Sequence, residues 1–76
     1  MPYITYTTVE GALSSEQKKA LSNALTEAVT NTLGEKLKPN VWVTINEAPE
    51  GNFYIGGHAL KAKNLQKLMN TPDTDI

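Results

Sequence analysis

Two β-prone segments, "YITYTTV" (residues 3–9) and "VWVTIN" (41–46), flank one long stretch of helical period, and that order leaves few ways to fold. Every residue of 3–9 is β-branched or aromatic, and the segment ends at a Glu10-Gly11 turn signal, so it reads as a strand. In "LSSEQKKALSNALTEAVTNTLG", Leu21, Leu25, Ala28, Val29 and Thr32 or Leu33 recur at helical spacing, with Lys, Glu and Asn opposite. Ser14 followed by Gln17 fits a capping box, and Gly34 stands where a helix commonly ends, which predicts a helix from about Ser15 to Leu33. Pro39 and Asn40 break the chain before the second strand. That strand puts Val41, Val43 and Ile45 on one face and Trp42, Thr44 and Asn46 on the other. A strand, a crossover helix and a strand close most economically as a right-handed βαβ unit with parallel strands. The fold class expected is α/β, or α+β once the C-terminal part is counted, in one domain over residues 1–76.

The helix covers one face of such a sheet, with Leu21, Leu25 and Val29 contributing about 1.5–3 kcal/mol each if fully buried. The other face carries Trp42, Thr44 and Asn46 with alternate residues of the first strand, and no remaining segment is long enough to cover it. A chain of 76 residues has room for one small core, and it contains no cysteine and one histidine. Disulfides and a histidine-rich metal site are therefore ruled out as staples, which leaves association with further copies. "EAPEGNFYIGG" reads as a short hairpin or projecting arm, bracketed by Pro49, Gly51 and Gly56-Gly57. Residues 60–69 have weak helical periodicity through Leu60, Leu65, Leu68 and Met69. Residues 70–76 read as a flexible tail that frays or lies along a neighbouring subunit.

Seven lysines stand against eight acidic residues, for a net charge of −1, and neither sign forms a block. That balance argues against nucleic acid or an anionic membrane as a partner. No apolar run approaches the roughly 18 residues of a membrane span, and "MPYITYTT" lacks the pattern of a signal peptide, so the expected location is cytoplasmic.

The second residue carries the chemistry. Initiator methionine is normally removed when proline follows, and that leaves Pro2 with a free secondary amine. An α-amino group titrates at about 7.7–8.0, and apolar surroundings lower that value by desolvating the charged form, which suits a general base near neutrality. If Met1 is retained, the nitrogen is a tertiary amide with no basic lone pair.

"MPYITYTTVEG", "SSEQKKALSNALTEAV" and "VWVTINEAPEGNFYIGG" together resemble the 4-oxalocrotonate tautomerase family in order, spacing and length, over about residues 2–57. The resemblance implies a βαβ protomer and dimers whose sheets join, commonly three dimers in a hexamer. It also implies catalysis by the amino-terminal proline without cofactor or metal. Pro2 would take a proton from an enol hydroxyl or from carbon beside a carbonyl, and return it at a conjugated carbon. Phe53 lies where the family places an apolar aromatic beside the proline, excluding water and holding the amine's pKa low. The expected site is Pro2 as base, with Trp42, Phe53 and Val9 in contact with a small-molecule substrate.

The sequence departs from the family pattern at two positions. Well-known members read E-G-R where this chain reads Glu10-Gly11-Ala12, and carry a second arginine where this chain has Trp42. Neither alanine nor tryptophan reproduces the bidentate grip of a guanidinium on a carboxylate, which argues against a dicarboxylate such as 2-hydroxymuconate. Trp42 offers an indole N–H and a broad apolar wall, suited to a neutral, monocarboxylic or aromatic substrate. Lys18, Lys38, Asn46, Asn52, Tyr54 and His58 are candidate replacement donors, although Lys18 and Lys19 read most simply as a solvated helix face. A related branch that hydrates or dehalogenates acrylates uses a glutamate where this chain has Ile55, so tautomerisation is preferred. Glu10 and Glu47 read as structural charges near strand ends. The alternative is an inactive binding or scaffold protein on the same oligomeric fold, since the missing arginines would stabilise developing negative charge.

Overall fold

The computed structural model describes residues 1–71, in the order β1 (Tyr3–Val9), α1 (Ser15–Leu33), a 3₁₀ helix (Glu35–Asn40), β2 (Trp42–Ala48), β3 (Tyr54–Ile55), β4 (His58–Ala59) and α2 (Ala62–Met69). Strands β1 and β2 pair in parallel from Tyr3↔Trp42 to Val9↔Ala48, and α1 makes the crossover. Both bonds of the expected capping box are present: the Gln17 N–H donates to Ser14 Oγ at 3.1 Å and the Ser14 N–H to Gln17 Oε1 at 2.9 Å. Gly34 ends α1 at φ 126°, a conformation that favours glycine, and its N–H donates to the Thr30 carbonyl at 2.9 Å.

Three details differ from the sequence-based expectation. The linker before β2 is wound into a 3₁₀ helix, with Pro39 inside it, and β2 starts at Trp42 and runs on to Ala48. The expected face of α1 is turned to Ile4 of the sheet but incompletely covered: Leu33 is 66% exposed and Ala28 is exposed, while the buried residue is Thr30. Thr30 is tolerated because its hydroxyl donates to the Glu27 carbonyl at 3.2 Å, so no buried donor is stranded. Lys18 is half-buried rather than solvated, and its Nζ sits 2.6 Å from Glu47 Oε1, which ties the first turns of α1 to the end of β2. Glu47 thus has the structural role expected of it.

Leu21, Leu25 and Val29 are only half-buried. Among the described residues the fully buried apolar side chains are Val9 and Ala12. The protomer thus gains less from α1 than full burial would give, and several large apolar side chains stay in water. Its radius of gyration of 14.9 Å exceeds the about 11 Å of a compact chain this long.

Part of that extension is the expected arm. Strands β3 and β4 pair antiparallel across Gly56-Gly57, with φ of 57° and 83°, the two positive values that a tight two-residue hairpin turn requires. Helix α2 realises the weak periodicity of residues 60–69, but its Leu68 and Met69 are exposed. Of the expected tail, Asn70 and Thr71 close α2 through N–H bonds to the Gln66 and Leu68 carbonyls, at 3.1 Å each. The remainder of the tail, residues 72–76, lies outside the described residues.

Candidate active site

Pro2 is half-buried at the head of β1, and its carbonyl accepts the Trp42 N–H at 2.9 Å. Sheet pairing therefore reaches the residue that bears the candidate nitrogen and fixes it from one side. With Met1 attached, that nitrogen is an amide; Met1 itself is 76% exposed.

Trp42 opens β2 directly opposite Tyr3 on the sheet face away from α1, and the two rings meet edge to face, centroids 6.0 Å apart at 76°. The Tyr3 hydroxyl shares a 2.8 Å hydrogen bond with the Thr44 hydroxyl. Tyr3, Trp42 and Thr44 thus form a ready-made wall beside Pro2. Trp42 is among the expected site residues, and Tyr3 is not. The alternation and register of two parallel strands were signal enough to pair them.

Phe53 and Val9 lie elsewhere. The six steps from Tyr3 to Val9, at about 3.3 Å each, separate the two ends of the sheet by about 20 Å. Val9, expected to meet substrate, lies at the far end with no exposed surface, so in the single protomer its side chain packs inside. Phe53 is half-buried in the arm that follows β2 at that same far end, and its carbonyl accepts the Leu60 N–H at 2.8 Å. One protomer therefore keeps Pro2 and Trp42 together and holds Phe53 apart from them.

The cavities agree with this division. One, of about 320 Å³, lies between the β1–α1 turn and α2, lined by Gly11, Ala12, Ser14, Gln66 and Met69 among others. A second, of about 290 Å³, is an apolar notch on the flank of α1 with Ile4, Leu25, Val29 and Leu33. Neither contains Pro2, Trp42 or Phe53. Of the candidate replacement donors, Lys18 is occupied by Glu47, whereas Lys38, Asn46, Asn52, Tyr54 and His58 are all exposed. Among the described residues no three His, Cys, Asp or Glu side chains cluster in a way that would hold a metal, and no helix is long and apolar enough to cross a membrane.

A proline-headed strand in a βαβ unit with a glycine-turned arm defines a class of small α/β proteins. The chain belongs to the tautomerase family: the model described as "Tautomerase enzyme" matches residues 2–63. A probable tautomerase from Bacillus cereus is 40% identical over 63 residues, which span 83% of this chain and all of that relative. A structure concerned with trans-3-chloroacrylic acid dehalogenase activity aligns at TM-score 0.67 and 32% identity, covering 79% of this chain and all of that one. A chain of a heterohexamer 4-oxalocrotonate tautomerase from Chloroflexus aurantiacus aligns at TM-score 0.68 and 30% identity, covering 78% of this chain and 92% of that one. Membership supports an enzyme of tautomerase or isomerase type, and it does not favour the scaffold alternative.

Proposed function

We propose that this protein is a cofactor-independent tautomerase in which Pro2, freed by removal of Met1, is the general base. The observation that carries the proposal is that the family match begins on Pro2 itself, the residue whose carbonyl the sheet anchors. The amine takes a proton from an enol hydroxyl or from carbon beside a carbonyl, and the resulting ammonium returns a proton to the conjugated carbon. Trp42 and Tyr3 form the apolar wall against which a planar substrate lies.

The site is shared between copies. Each strand of the two-stranded sheet has a free edge, and large apolar side chains remain exposed, including Trp42 at 55% and Ile55 at 60%. Homo-oligomerisation through these surfaces, as sheet-joined dimers or three such dimers, would cover them and bring the Phe53 of one copy to the Pro2 of another. The preferred substrate is an enol or 2-oxo acid with less negative charge than a dicarboxylate, because alanine and tryptophan stand at the two arginine positions. Ile55 offers no carboxylate to activate water, which favours tautomerisation over the dehalogenation associated with one structural relative.

The test pairs intact-mass measurement with turnover of phenylenolpyruvate, followed by absorbance, for the wild type and Pro2→Ala. Processed wild type is expected to be active and the variant slower by about 10²-fold or more. Equal rates in the two proteins would remove Pro2 from the mechanism.

A further inference from the structure

Helix α2 is fastened at two places, and both bear on the arm that carries Phe53. Its N-cap residue, Lys61, supplies no side-chain acceptor, and its first turn contains no acid. Glu50, twelve residues earlier at the root of the arm, fills that role: its Oε2 accepts the Ala62 N–H at 2.9 Å. A carboxylate at that position satisfies one unpaired amide and lies favourably in the helix dipole. The other leg of the arm leads directly into α2, and Leu60 N–H closes the arm on the Phe53 carbonyl at 2.8 Å.

The second fastening holds α2 to the body of the protomer. Gln66 Nε2–H donates to the Gly11 carbonyl, in the turn that follows β1, at 2.8 Å. Gly11 and Ala62 also approach closely: a Cβ at Gly11 would lie 3.5 Å from Ala62 Cβ. Most of α2 lies beyond residue 63, where the family match ends, while Gly11, Glu50 and Ala62 lie within it.

We infer that α2 is a strap that fixes the Phe53 arm, with Glu50 and Gln66 as positioning residues at its two ends. The inference rests on the reading that Phe53 completes the proline site, but the strap itself can be tested apart from turnover. In the full chain, hydrogen exchange at the Leu60 and Ala62 amides is compared among wild type, Glu50→Ala, Glu50→Gln and Gln66→Ala, with amides in the middle of α1 as an internal reference. Glu50→Ala is expected to speed exchange at both amides about tenfold, the effect of losing one hydrogen bond to a charged group. Glu50→Gln keeps an acceptor oxygen and should stay close to wild type. Gln66→Ala removes an exposed side chain and leaves the core intact. It should loosen the same two amides while the α1 reference stays unchanged.

Unchanged exchange at Leu60 and Ala62 in both alanine variants would overturn the strap, whatever the activity. Turnover of phenylenolpyruvate then separates positioning from simple packing. A several-fold fall in kcat/KM in the loosened variants, recovered in Glu50→Gln, supports the positioning role. Loosened arms with undiminished kcat/KM would overturn it. Inactivity of processed wild type would count against the proline base and leave the exchange result to decide the strap.

Discussion

The two ends of the β1–β2 sheet differ in how far the chain completes its own surroundings. At the Gly11 end, Val9 and Ala12 are fully buried, Lys18 and Glu47 are paired, and α2 is bound down through Gln66. At the Pro2 end, Tyr3 and Trp42 stay 61% and 55% exposed, and the apolar notch beside Ile4 on the helix side of the sheet is open. The end that bears the candidate base is unfinished, and the sheet end beside the arm is packed around Val9 and Ala12, although Ile55 of the arm and Leu68 of α2 stay exposed. The contrast is what a shared site needs. A rigid end can complete an open one on another copy, whereas two open ends could not position each other.

The largest effect should come from separating the two ends genetically. Pro2→Ala and Phe53→Ala are each expected to lower kcat/KM, the first by about 10²-fold or more and the second by about tenfold. Hybrid assemblies prepared by unfolding and refolding the two variants together should regain activity above either parent, because some sites then combine an intact Pro2 from one copy with an intact Phe53 from another. Mixtures no more active than their parents would mean that one copy supplies both residues, and the comparison of the two ends would lose its functional meaning.

A smaller effect is expected within the half that folds on its own contacts. Ser14→Ala removes the acceptor for the Gln17 N–H and should lower stability by about 1 kcal/mol in denaturant titrations. The difference should persist when protein concentration is varied, since the bond is internal to α1. On the proposal that other copies cover the exposed aromatic end, the absolute midpoint should rise with concentration. A midpoint independent of concentration would contradict the open end's need for a partner.

The locally determined part of the fold was legible in the sequence, and the placement of residues that depends on packing was less so. The limits of β1 and α1, the capping box and the Gly-Gly hairpin follow from local rules, in which a few neighbouring residues decide the conformation. How deeply each residue of α1 is covered, with Thr30 buried and Leu33 exposed, depends on packing, which an apolar stripe fixes only approximately. Lys18 looked like a solvated lysine because its partner, Glu47, lies 29 residues away on another element. Among the candidate site residues, Pro2 and Trp42 follow from motif and position. The separation of Phe53 from Pro2 follows from the parallel pairing already expected, whereas the complete burial of Val9 depends on how the turn and helix pack over that end.

The smallest expected effect concerns that same ion pair, and it bears on why the Gly11 end is firm. Lys18 and Glu47 side chains are 34% and 25% exposed, so their attraction is only partly screened, while each still reaches water. A double-mutant cycle with Lys18→Ala and Glu47→Ala should give a coupling of about 0.5–1 kcal/mol at low salt, falling as salt is raised. The pair joins the start of α1 to the end of β2, and the turn held by Gln66 comes just before α1 in sequence. If the pair stiffens that end, Glu47→Ala should also speed exchange at the Glu10 amide, which donates to the Ala48 carbonyl at 2.7 Å. A measurable coupling without that change would make the pair a local tie between helix and strand, and the rigidity of the finished end would then rest on Val9, Ala12 and the strap alone.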